Sequence, residues 1–165
     1  MPATYEPIAT TTLGSATRNI TFSSISATYT DLRVVWVGRN ATTVDYIEVT
    51  FNGSTSGYSF TSLSGNGAAA ESNRITSNTK WIPNYPPAGS STIPFTFSVD
   101  IFSYAGSTFK TGLMTNSSDL NGSGLIINSV GLWQNTAAIT SIKLEGQVDN
   151  FATGTTATLY GIKAA

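Results

Sequence analysis

Residues 93–104 read IPFTFSVDIFSY, with Ile93, Phe95, Phe97, Val99 and Ile101 on every second position and Thr96, Ser98 and Asp100 between them. A period of two marks a strand with one buried face. Pro94 lacks an N–H and places that end at the start of the strand or at an edge. The same alternation recurs along the chain. Ile20 and Phe22 share a face, as do Leu32, Val34 and Trp36; Ile47, Val49 and Phe51; Tyr58 and Phe60; and Thr140, Ile142, Leu144 and Val148. Residues 5–13 read as extended, because Pro7 blocks a helix and the threonine run at 10–12 is stiff at χ1. Asn52-Gly53 is a strong turn signal, since both residues tolerate positive φ.

Other stretches are less sharply patterned. Residues 68–78 carry no period, and 68–71 could form one helical turn. Lys80 to Ile82 predicts a short edge strand. Residues 109–114 pair back on the 93–104 strand, followed by a polar loop at 115–124. In residues 125–134 the inward set is Ile126, Val130 and Leu132, and Asn128 falls on that same face. Nine to eleven short strands without a long helix predict an all-β, antiparallel β-sandwich, jelly-roll-like. Residues 1–165 form one domain in this reading, with 1–14 an extended N-terminal strand or arm. The expected core joins Phe95, Phe97, Val99 and Ile101 to Val34, Ile142 and Leu144.

Composition narrows the chemistry. The chain has no His and no Cys, so the usual general base, thiolate ligands and disulfides are absent. Eight basic and nine acidic residues give a net charge of −1, which provides no basic field for nucleic acid or an anionic membrane. No window of 18 apolar residues is present, and residues 1–18 lack the basic start and apolar centre of a signal peptide. Assembly in a cytoplasm is therefore expected. Asn19 and Asn40 open Asn-x-Thr sequons, read as accidents of composition. More than a quarter of the residues are Ser or Thr. Such a low-charge surface fits either a packed assembly or a crowded run of β-turns.

Catalytic candidates are few. Glu145 and Asp149, four apart on a strand, would lie about 13 Å apart, beyond the roughly 5–9.5 Å of glycosidase pairs. Asp45 and Glu48 point to opposite faces. No Ser-x-x-Lys and no phosphate-binding glycine spacing occurs. Asp119, Asn121 and the 149–155 loop offer oxygens to Ca²⁺ but at low carboxylate density. No catalytic residue, metal or cofactor is expected. The aromatic residues say more. Trp81, with Tyr85, Pro83, Pro86 and Pro87, is either a proline-rich corner covering one end of the sandwich or a contact patch for a subunit or a sugar. Trp81, Tyr85 and Tyr58 are the candidate sugar-stacking platforms. Phe102 and Tyr104 lie opposite Phe97 and form a candidate oligomer surface, together with Tyr5 and Ile8 of the arm. Val35, Val37, Ile127 and Trp133 are further apolar residues on second faces.

The opening MPATYEPIATTTL, residues 1–13, and the closing LYGIKA, residues 159–164, resemble a family of small β-rich virion proteins of tailed bacteriophages, common in phages of cyanobacteria and other aquatic bacteria. SVGLW at 129–133 and AITSI at 138–142 resemble that family's penultimate strands. The resemblance implies a structural role on the capsid or the tail and brings no catalytic motif. With no docking segment or shaft beside the single sandwich, a capsid decoration (cement) protein on the head surface is favoured. A tail-fibre, receptor-binding or carbohydrate-binding module is the alternative. The expected partners are the chain itself as a homotrimer, the major capsid protein or other virion proteins, and in the alternative a host-surface glycan. No nucleic acid or membrane partner is expected.

Overall fold

The computed structural model describes residues 4–83 and 90–163. These residues form eleven strands and no helix. In chain order they are β1 (Tyr5–Thr12), β2 (Asn19–Phe22), β3 (Asp31–Gly38), β4 (Ile47–Phe51), β5 (Tyr58–Gly65), β6 (Ala70–Asn78), β7 (Phe95–Phe102), β8 (Lys110–Asp119), β9 (Gly124–Trp133), β10 (Ile142–Gly146) and β11 (Thr156–Ile162). Every pairing is antiparallel. An eight-stranded sheet runs β1-β11-β3-β7-β8-β9-β5-β6, and a three-stranded sheet, β2-β10-β4, covers part of it. β1 pairs with β11 in one sheet and β2 with β10 in the other, so both chain ends wrap the sandwich side by side, as in a jelly roll.

The alternation explains the core. Phe95, Phe97, Val99 and Ile101 are buried, as are Val34, Ile142 and Leu144. Trp36 pairs with Phe97 and Val34 with Val99, and the Trp36 and Phe97 rings stack at 5.4 Å. β7 begins after Pro94, which leaves Ile93 half-buried outside the strand. Asn52 and Gly53 both take positive φ, as the turn signal requires; the turn leads from β4 in the small sheet to β5 in the large one. Phe97→Ala should lower stability by about 3–5 kcal/mol in chemical denaturation, because the ring is enclosed on all sides; a loss below about 1 kcal/mol would place β7 outside the core.

Several expectations change. Residues 68–71 form no helical turn; β6 starts at Ala70 and pairs along β5. Its only large apolar residue is Ile75, so backbone pairing rather than side-chain burial makes it a strand. Trp81 forms an isolated bridge with Val49 instead of an edge strand. β8 runs through the stretch read as a loop, up to Asp119, and β9 faces the other way from the expectation. Ile127, Ser129, Gly131 and Trp133 point inward, while Ile126, Asn128 and Val130 point outward. Asn128 therefore needs no buried partner, and Thr115 Oγ1 reaches its Oδ1 at 3.1 Å. The arm is an edge strand: β1 lies along β11, with a bulge between Pro7 and Ala9.

Candidate functional site

Gly112 near the start of β8 and Gly131 near the end of β9 decide where the aromatic residues go. Gly112 and Gly131 are direct register partners, and a Cβ built on Gly131 would sit 2.5 Å from the Trp81 ring. The missing side chains leave a flat floor on which the indole lies. Trp81 Nε1 donates to the Leu132 carbonyl at 3.0 Å, and its backbone exchanges two hydrogen bonds with Val49. Phe51, Tyr58 and Trp133 close around it; Tyr58 stacks on Trp133 at 5.9 Å. The Phe51 N–H donates to the Tyr58 hydroxyl at 2.9 Å. Burial pushes the Tyr58 hydroxyl up to about 12, against smaller opposing effects of the hydrogen bonds to Phe51 and Ser54.

Three candidate contact residues are thus corrected. Tyr58 and Trp81 are enclosed core residues, and no sugar can stack on them. Tyr104 is also buried, past the end of β7, where the chain has turned inward. Its hydroxyl donates to the Ser26 carbonyl and accepts the Tyr29 N–H at 3.3 Å. Ile127 and Trp133 are likewise inside. Tyr85 lies outside the described residues. Tyr5 and Phe102 are exposed, and Ile8 is half-buried against the core. Tyr5 pairs with Ile162, Ile162 with Asp31, and Phe102 with Thr111, so Tyr5 and Phe102 belong to the same outer face of the large sheet.

That outer face is the extended surface the fold presents. Registers align its residues in rows across the strands. One row runs Val37–Thr96–Ser117–Ile126–Gly65, the next Val35–Ser98–Thr115–Asn128–Leu63, and the next Arg33–Asp100–Leu113–Val130–Thr61. Leu113 and Val130 are direct neighbours, and Leu63 and Ile126 continue from them diagonally. Their exposures are 46%, 56%, 58% and 53%. This stripe crosses β8, β9 and β5, and hydroxyl side chains flank it. Its inner counterpart is mixed: Ser62 pairs with Ser129 and Asn116 lies diagonal to Ser129 on β8, all buried, among Phe60, Met114, Ile127 and Trp133. This half of the sheet therefore carries apolar side chains on both faces, with buried hydroxyls among those inside.

Charge on the face is sparse and already partnered. Arg33 lies 3.6 Å from Asp100, and Arg74 Nη1 donates to Thr61 Oγ1 at 2.7 Å. Burial raises the Asp100 carboxyl, Arg33 opposes that, and Asp31 adds to it. An open cleft of about 810 Å³ crosses one end of the face, along the row from Val37 to Gly65, and Asp119 stands at its rim.

Most of the other carboxylates are used as internal acceptors or ion-pair partners. Both Asp149 oxygens accept backbone N–H groups, from Thr42, Thr43 and Asn150, and Asp45 Oδ2 accepts from Val148 and Asp149. Glu48 pairs with Lys80 at 2.5 Å, Glu145 with Lys143 at 2.6 Å and Glu6 with Lys163 at 2.8 Å. Asp119 Oδ1 accepts the Asn121 N–H. Lys110 is fully buried, its ammonium donating to the carbonyls of Gly106, Thr108 and Thr136. Burial lowers its pKa. The described residues contain no group of three or more His, Cys, Asp or Glu able to hold a metal ion.

Compared with known proteins, the chain matches no protein-family model, no curated protein and no solved structure. Leu63, Leu113, Ile126 and Val130 were not singled out as contact residues from the sequence. A signal for them was present in β9, where large apolar residues stand on both alternating sets.

Proposed function

We propose that this chain is a non-catalytic structural protein of a tailed-phage virion, a decoration (cement) protein on the head surface, assembled in the host cytoplasm. Its partners are copies of itself, as a homotrimer, and the major capsid protein. The observation that carries an assembly role is the outer sheet face, with an uncharged apolar stripe bordered by hydroxyls. That is the composition of a surface covered by protein, with an apolar centre and a polar rim. The likeness of both chain ends to virion proteins supplies the setting. Electron cryo-microscopy of particles containing the protein tests the location. Ordered density on the capsid lattice is expected, and density confined to the tail would overturn the head placement.

The cleft at one end of the same face supports a second reading, a receptor- or carbohydrate-binding module. Its hydroxyls, glycines and Asp119 offer hydrogen bonds to a sugar. Glycan-array binding by the purified protein that Asp119→Ala removes would favour this reading over decoration. Trp81→Ala carries no such information, because the ring is part of the core.

A further inference from the structure

We infer that copies of this chain pack against one another through the outer face of the large sheet from β7 to β6, with Leu113, Val130, Leu63 and Ile126 of β8, β9 and β5 at the centre of the contact. The inference rests on the self-association of the proposed function and goes beyond it: the same face on two copies makes a two-fold contact, which pairs chains and would join trimers rather than close one. Three observations converge on a second copy. First, β9 carries apolar side chains on both faces: Ile127 and Trp133 inside, Ile126 and Val130 outside. A strand with large apolar residues on both sides is the pattern of a sheet covered on both sides. Among the described residues, the fold covers only the inner side here.

Second, the area is sufficient. From β7 to β6 the face is five strands wide, about 24 Å at a strand spacing near 4.8 Å. Four same-face residues along each strand span about 27 Å. Covering that rectangle on two copies buries about 1,300 Å², within the roughly 1,200–2,000 Å² of stable protein contacts.

Third, the charge pattern suits a like partner. Between Asp100 on β7 and Arg74 on β6, the outer positions of β8, β9 and β5 carry no charge until Asp119 at the end of β8. Arg33 and Asp100 already neutralise each other. A second copy therefore meets no opposed like charge at the centre, whereas a strongly charged partner would find nothing to pair with.

Sedimentation velocity of the full chain, over a wide concentration range at low and high salt, tests the inference. The wild type should sediment as an oligomer whose stability changes little with salt, because apolar contact is weakly screened. Val130→Asp should move the equilibrium to monomer, raising the dissociation constant about tenfold or more. Near-UV circular dichroism checks that this variant is folded, since Trp133 stands on the inner face of β9 and Trp81 packs beneath it. If Val130→Asp does not fold, Leu63→Ser decides, with a weaker shift in the same direction. A wild type that stays monomeric at every concentration overturns the inference, as does an oligomer that the folded variants leave unchanged. The two readings fail separately. Oligomers that never appear on a head retain the interface and remove the virion role, while isolated monomers on a capsid lattice do the reverse.

Discussion

Replacing Trp81 with alanine should lower the unfolding free energy by about 3–5 kcal/mol, as for other large-to-small changes in a core. The indole is fully buried and in edge contact with Phe51 and Tyr58. Its removal opens a cavity over Gly112 and Gly131, which have no side chains to collapse into it. The Leu132 carbonyl also loses the Nε1 donor. Urea denaturation followed by circular dichroism gives the value directly. Gly131→Ala approaches the same site from the other side, because its Cβ would fall within 2.5 Å of the ring and force it off the sheet. A loss below about 1 kcal/mol in Trp81→Ala would mean that the ring sits at a surface, where a sugar-stacking role would again be open.

Asp149→Ala should be comparably damaging, for a different reason. The carboxylate accepts the N–H groups of Thr42, Thr43 and Asn150 and the Thr42 hydroxyl, which ties the 41–45 turn to the 147–151 loop. Without it three amides lose their acceptor, at roughly 1 kcal/mol or more each, so about 3 kcal/mol is expected. Asp149→Asn should recover only part of this. Both carboxylate oxygens take N–H groups, and the amide nitrogen of asparagine would face donors on one side. Burial on its own raises the Asp149 carboxyl, but these hydrogen bonds outweigh it and leave the group below its ordinary 3.8. The folded state thus binds its proton less readily than the unfolded chain. This contribution is fully present above the unfolded value and is lost as pH falls through the lower folded one. Denaturation of the wild type and of Asp149→Asn below pH 4 should therefore converge, the wild type losing more stability on acidification. Parallel curves would show that the charge of Asp149 has no part in holding the two loops.

Much of the sandwich was legible from local pattern. β4, β7 and β10 have nearly all their large apolar residues on one alternating set, β3 has its largest there, and the core they build is the one their spacing predicts. For such strands a one-residue slip would expose every leucine, valine and phenylalanine, so pattern and register are the same information. β6 was invisible for the converse reason. Its serines and asparagines have no face to bury, and only the neighbouring backbone of β5 makes it a strand.

β8 and β9 show where the sequence alone stops. Their two alternating sets are both plausible core faces, and counting apolar residues selects the wrong one, with Ile126, Val130 and Leu132 inside. The three-dimensional packing reverses that choice, because Trp81, distant in sequence, needs a flat floor that Gly112 and Gly131 provide only if their face points inward. Trp133 then joins Tyr58 and Phe51 in the core, and Leu113, Val130 and Ile126 are turned out. The same packing takes Tyr58, Trp81 and Tyr104 out of the contact surface. The sequence by itself determined an all-β chain, the strands with one apolar face, and a low-charge surface without histidine or cysteine. Only the tertiary structure decided which face of β8 and β9 meets the core, since that depends on ring volumes brought together from far along the chain, and with it where the exposed apolar stripe lies.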